Sequence, residues 1–122
     1  MHRDEFLELV KQAIDRLPST IRKRLSNVEV VVEDYPGPDI CHEMGLQPGN
    51  LLGLYQGVPL NKRGIHYAMV LPDKITLFQK PIESVCRNRE EIIWQIKNTL
   101  IHEIGHHFGL SEAHIRRLTK GE

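Results

Sequence analysis

The sequence predicts an α+β fold, a short mixed sheet packed on helices, with one long helix near the C-terminus carrying a histidine-rich motif. Three observations predict it. Apolar residues recur at helical spacing near both ends of the chain, at Phe6, Leu9, Val10, Ala13, Ile14 and Leu17 and again at Ile92, Ile93, Ile96, Leu100 and Ile104. Between these stretches lie β-branched runs bounded by glycine, proline and asparagine, beginning with Val28 to Glu33. No linker, internal repeat or low-complexity tract interrupts the 122 residues, a length that fits one domain, 1–122, with a modest core.

Each element has its own warrant, in chain order. The Phe6-to-Leu17 stripe marks a first helix that Asp4 is placed to cap and Pro18 follows. Ser19 to Leu25 reads as a second, short helix. Val28 to Glu33 is a strand because β-branched side chains suit a pleated surface. Residues 35 to 50 hold Pro36, Gly37, Pro38, Gly45, Pro48 and Gly49, and a long loop is expected there. Asn50 to Tyr55, His66 to Val70 and Lys74 to Phe78 read as strands joined by short turns, with Pro81 to Val85 as a helical connector. Asn88, three residues before Glu91, opens a long amphipathic helix as a capping pair. Gly109 suits the left-handed residue that ends such a helix, and Ser111 is placed to cap a short final one.

Composition narrows the function classes. Sixteen Lys and Arg balance sixteen Asp and Glu, and this net charge of zero argues against an electrostatic grip on nucleic acid or an anionic membrane. The Arg22-Lys23-Arg24 run reads as a solvated helix face. No apolar signal core follows Met1 and no segment approaches the ~20 apolar residues that span a bilayer, so a cytoplasmic protein without a membrane partner is expected. Cys41 and Cys86 lie far apart and in no CxxC pattern, which predicts free thiols, with Cys86 packing and not reacting. Cys41-His42-Glu43 has metal-binding residue types, but the proline- and glycine-rich surroundings offer no regular spacing to preorganise them.

The chemistry sits in His102-Glu103-Ile104-Gly105-His106. On a helix, imidazoles at i and i+4 project from one face about 6 Å apart along the axis, close enough to reach one ion. Glu103 lies about 100° round the wheel from His102, beside such an ion, where a general base for a bound water belongs. His107 lies about 140° away and is read as a residue supporting the site or lying on the surface, not as a ligand. A third ligand must follow the Gly109 turn. Glu112 stands ten positions after His102, the spacing of the third ligand in HExxHxxGxx[H/D] zinc sites, and is the preferred residue. His114 is the alternative, projecting from another side of the final helix, and Glu122 serves only if the terminus folds back. Tyr55, His66 and Tyr67 lie in the predicted strands and are candidate oxyanion or substrate contacts.

These residues, together with Val30 to Asp34, Leu51 to Leu60 and Leu71 to Phe78, resemble the compact bacterial zincin-like metallopeptidases, whose motif reads HExxHxxGxxD near the C-terminus. The resemblance implies that His102 and His106 are ligands to Zn²⁺ and that Glu103 is the catalytic base. It also places Glu112 where the family carries an aspartate. Glutamate is one methylene longer, and the chain departs from the family there. The resemblance further implies a zinc metallopeptidase acting on a peptide or unfolded protein, held as an added strand along a sheet edge at residues 50 to 60 or 66 to 70. Glu103 would take a proton from the activated water and return it to the leaving amine.

Two other readings compete. One is a catalytically silent, zinc-stabilised peptide-binding module. The other is a metal-dependent endoribonuclease of the YbeY-like kind, with HxxxHxxxxxH ligands. Glu103, the carboxylate at 112 and the neutral charge balance all stand against the nuclease. No methionine follows the motif, so a metzincin Met-turn is absent.

Overall fold

The computed structural model describes residues 1–57 and 72–120. The predicted strand His66 to Val70, with His66 and Tyr67, and the terminal Glu122 lie outside the described residues. Within them the elements run α1 (Arg3–Asp15), α2 (Ser19–Arg24), β1 (Val28–Glu33), α3 (Pro38–Met44), β2 (Gly53–Gln56), β3 (Asp73–Phe78), α4 (Gln79–Ser84), α5 (Arg89–His107) and α6 (Glu112–Lys120). This is the expected α+β arrangement, a short mixed sheet on helices. The strand order is β1-β3-β2, with β3 parallel to β1 and antiparallel to β2. Ile75 through Phe78 are buried without alternation, as a central strand covered on both faces requires.

Helix α5 is the axis of the molecule. Phe6, Leu9 and Ala13 of α1 and Ile75 and Leu77 of β3 pack with Ile96, Leu100 and Ile104 of α5 in one core. Burying each large side chain of this kind contributes about 1.5–3 kcal/mol. The amphipathic reading of α5 needs correction, because every residue from Ile96 to Ile101 is buried, Lys97, Asn98 and Thr99 included. With α1 and α2, the strands β2 and β3, and α6 all packed against it, the helix has no continuous solvent face along those turns.

Three local expectations are also corrected. Asp4 does not cap α1: His2 occupies the cap position without a side-chain bond, and Asp4 lies inside the first turn, where its charge favours the helix dipole. The expected loop of residues 35 to 50 contains α3, with Pro38 at its first position and Gly45 ending it at φ 66°. There the Leu46 N–H reaches back to the Cys41 carbonyl at 3.0 Å. Strand pairing begins at Gly53 and not at Asn50, because residues 48–50 wind into a single 3₁₀ turn.

Candidate metal centre

The motif helix is fixed at both ends before any chemistry is considered. At its start Asn88 Oδ1 accepts the Glu91 N–H at 2.9 Å, while Glu91 Oε1 accepts the Arg87 N–H at 2.9 Å. At its end Gly109 turns left-handed at φ 75°, the Leu110 N–H bonds the Gly105 carbonyl at 2.8 Å and the Gly109 N–H bonds His106 O at 3.1 Å. This paired closure reverses the chain and carries it into α6. Ser111 Oγ then accepts the His114 N–H at 3.0 Å, capping α6. The reversal has to be tight. A Cβ at Gly105 would lie 2.8 and 2.9 Å from Cγ1 and Cδ1 of Ile115, so the absence of a side chain at Gly105 lets α6 lie directly on α5.

That close packing brings Glu112 to the motif. His106 Nε2–H donates to Glu112 Oε1 at 2.6 Å, and the bond holds the Glu112 carboxyl below its ordinary range. His102 Nδ1–H donates to the Asn98 carbonyl at 2.9 Å, because a backbone oxygen can only accept. In the neutral ring this leaves the lone pair on Nε2, the state a metal-binding histidine needs. The two imidazoles stand edge to face with their centroids 5.9 Å apart. His114 lies in the first turn of α6, and no bond links its ring to either motif histidine.

Two imidazoles and a carboxylate suit zinc chemically. Among the described residues no three His, Cys, Asp or Glu side chains are gathered closely enough to hold an ion, so the donors stand as His102 and as a separate His106–Glu112 pair. A four-coordinate ion with bonds of about 2.0–2.1 Å separates its donors by roughly 3.3 Å. The 2.6 Å pair would have to open by less than 1 Å and give up its shared proton.

Glu103 is seated on the sheet. The Tyr55 backbone N–H donates to Glu103 Oε1 at 2.9 Å. The register explains why this amide points there. Phe78 N–H bonds Leu52 O at 2.9 Å, so the pairs Gly53–Leu77 and Tyr55–Ile75 are the non-bonded ones, whose N–H and C=O groups point away from β3. Among the described residues β2 is thus an edge strand, and its outward Tyr55 N–H faces the motif. Burial raises the Glu103 carboxyl above its ordinary range, and the Tyr55 N–H and the two imidazoles offset this only in part.

The Tyr55 side chain is engaged elsewhere. Its hydroxyl donates to Asp73 Oδ2 at 2.6 Å, and its ring stacks on His107 with centroids 3.9 Å apart. His107 Nε2 lies 3.8 Å from the same Asp73 oxygen. This cluster ties the strand to the C-terminal end of α5. Asp73 carries no signal in the sequence, and His107, excluded there only as a ligand, takes a supporting place beside Tyr55. Nothing in the spacing links residues 55, 73 and 107. Arg24, read as part of a solvated face, lies over the Phe108 ring at 4.3 Å.

A groove of about 350 Å³ runs from His102 and Glu103 back along α5, past Thr99 and Asn98 to Trp94, with Leu51 to Gly53 as its other wall. Among the described residues no Lys or Arg lines it. Gly53 is fitted to this wall, since a Cβ there would meet Thr99 Cγ2 at 2.6 Å.

A family model described as zincin-like metallopeptidase matches residues 25–122. The fold is similar to that of a conserved hypothetical protein from Thermo thermophilus, with a TM-score of 0.56 and 22% identity over 88% of this chain and 94% of that one. No curated protein matches.

Proposed function

Because the chain belongs to the zincin-like metallopeptidases, we propose that it is a zinc-dependent peptidase in which His102, His106 and Glu112 hold the ion and Glu103 carries the proton. Bound there, zinc would supply a Lewis acid that polarises a peptide carbonyl and lowers the pKa of water towards neutrality. The remaining work falls to the chain. His102 offers Nε2 because Asn98 O fixes its other nitrogen. Glu103, anchored through Oε1 to the Tyr55 amide, takes a proton from the attacking water at its other oxygen and passes it to the departing amine nitrogen. The anchor at one oxygen leaves the other oriented for both halves of that transfer.

The placement of Glu103 is the observation that carries the reading. It bridges the motif helix and the side of β2 turned away from β3, an edge among the described residues, so a peptide laid along β2 would pass beside it. In this proposal the Tyr55 hydroxyl, held by Asp73, positions the amide under Glu103 and does not serve as an oxyanion donor. A catalytically silent zinc-stapled module is the second reading, favoured by the His106–Glu112 pair that already joins α6 to α5.

One experiment separates the two. Elemental analysis of the wild type, His102→Ala, His106→Ala and Glu103→Gln is combined with turnover of a peptide library. The peptidase reading expects about one zinc per chain in the wild type and in Glu103→Gln, loss of metal in both histidine variants, and turnover lowered at least ~100-fold in Glu103→Gln. Full zinc in the histidine variants refutes the site. Zinc without any turnover by the wild type favours the silent module.

A further inference from the structure

We propose that the groove between α5 and Leu51 to Gly53 is a side-chain subsite, in which an aromatic or large aliphatic residue of an extended peptide sits between Trp94 and Leu51 while the Asn98 amide meets the peptide main chain. The inference rests on the peptidase reading and adds which peptides the site selects.

Continuity is the first argument. His102 and Glu103 form one end of the groove and Trp94 the other, so a chain entering it passes the candidate centre. Trp94 and His102 are eight positions apart on one helix, about 12 Å along its axis, or three to four residues of extended peptide. Trp94 is 54% exposed, while Ile92, Ile93 and Ile96 around it are buried. A large aromatic ring left in water at the end of the groove remote from Glu103 gains by covering apolar surface, whereas a charged side chain laid there would lose hydration.

Asn98 supplies the second, independent argument. The residue is only 6% exposed, and among the described residues its Oδ1 is buried with no hydrogen-bond partner. A buried carbonyl left unpaired is destabilising and is uncommon in a folded protein. Its χ2 is a soft torsion, so the amide can turn into the groove it lines and meet a peptide N–H or C=O. The outward N–H and C=O of Gly53 on the facing wall offer the same complementarity. Together these groups match a peptide main chain flanked by an apolar side chain.

The chain has a single tryptophan, so its fluorescence reports on this groove alone. The test titrates zinc-loaded Glu103→Gln, which retains peptide uncleaved, with capped alanine hexapeptides carrying Phe, Leu, Asp or Lys scanned through each position. Phe and Leu peptides are expected to shift the Trp94 emission and to bind at least ~10-fold tighter than the all-Ala, Asp or Lys peptides. Adding Trp94→Ala, followed by anisotropy of a labelled peptide, should erase that preference, and Trp94→Phe should retain most of it. Asn98→Leu should weaken binding by ~3- to 10-fold while leaving the melting temperature of the free protein unchanged or higher, an opposition that a purely structural residue would not give.

The outcomes divide the two proposals. Peptide cleavage by the wild type with affinity indifferent to Trp94 overturns the subsite and leaves the peptidase reading intact. Trp94-dependent binding without wild-type turnover upholds the groove as a peptide site and overturns the peptidase. Absence of binding by every peptide overturns the subsite.

Discussion

The packing of α6 on α5 predicts that one substitution will change sign with its background. Gly105→Ala replaces a helix-interior glycine, which by propensity alone should stabilise α5 by about 0.8–1.0 kcal/mol. In the native background the new Cβ falls 2.8–2.9 Å from two Ile115 atoms, against the roughly 3.5–4.0 Å of ordinary carbon contacts. Overpacking of this size costs about 1–3 kcal/mol, so the net effect is a loss of ~0–2 kcal/mol. Ile115→Ala removes both clashing atoms, at its own cost of about 2–5 kcal/mol for a fully buried isoleucine. In that background Gly105→Ala should stabilise. Urea unfolding of the four proteins, chelated to remove metal, measures the cycle. Because Glu112 begins α6, Gly105→Ala should also weaken zinc binding, read by competition with a chromophoric chelator. Equal effects of Gly105→Ala in the two backgrounds would refute the contact. A displaced α6 with unchanged zinc affinity would refute Glu112 as a ligand.

Further outcomes follow from the same contacts. Glu112→Ala should weaken zinc binding far more than His114→Ala, since Glu112 meets His106 and His114 meets neither motif histidine; side-by-side zinc titrations check this, and the reverse order moves the site to His114. Burial raises Glu103, so the folded apoprotein binds its proton more tightly than the unfolded chain, and stability declines as pH rises from the unfolded value (about 4.3) through the folded one. Chelated Glu103→Gln should therefore match the wild type in acid and melt higher at neutral pH, and a gap that does not widen with pH contradicts the assignment. Gly53→Ala should destabilise by about 1–3 kcal/mol through its contact with Thr99 Cγ2, with Thr99→Ser restoring much of the loss in thermal melts.

Much of the frame was legible because it depends on local rules. Val28–Glu33 is a strand at the predicted bounds, and Asn88, Gly109 and Ser111 perform the capping and reversal their chemistry suggests. Helix α3 was hidden because Pro38 and Gly45 look like loop residues until they are seen as the first position and the closing residue of a short helix. The all-round burial of α5 was hidden for another reason. Lys97, Asn98 and Thr99 are polar, and only the tertiary stacking of sheet and helices determines that they are enclosed. His102, Glu103 and His106 could be named from spacing because one helix carries all three. Tyr55 and Asp73 join them across strand register and ring stacking, which leave no periodic trace.

The same enclosure accounts for how a small domain holds the Glu103 carboxylate in place. Glu103 is raised by burial, and an unanchored side chain would relieve that by turning towards water. The Tyr55 amide prevents this at one oxygen. That amide is itself held by the pairing of β2 with β3, by the Tyr55 hydroxyl on Asp73 and by the ring of His107. Since His107 follows His106 on α5, the helix that presents the two imidazoles also fixes the strand that restrains Glu103. Tyr55→Phe should test the chain of support. It retains the ring and the amide but removes the 2.6 Å bond to Asp73, so it should cost about 0.5–1.5 kcal/mol in urea unfolding and leave zinc content unchanged. Turnover, where the wild type shows it, should fall through kcat with little change in KM, because the loss is in the positioning of Glu103. A rise in KM with kcat intact would instead mean that the Tyr55 hydroxyl contacts substrate, and the support argument would fail.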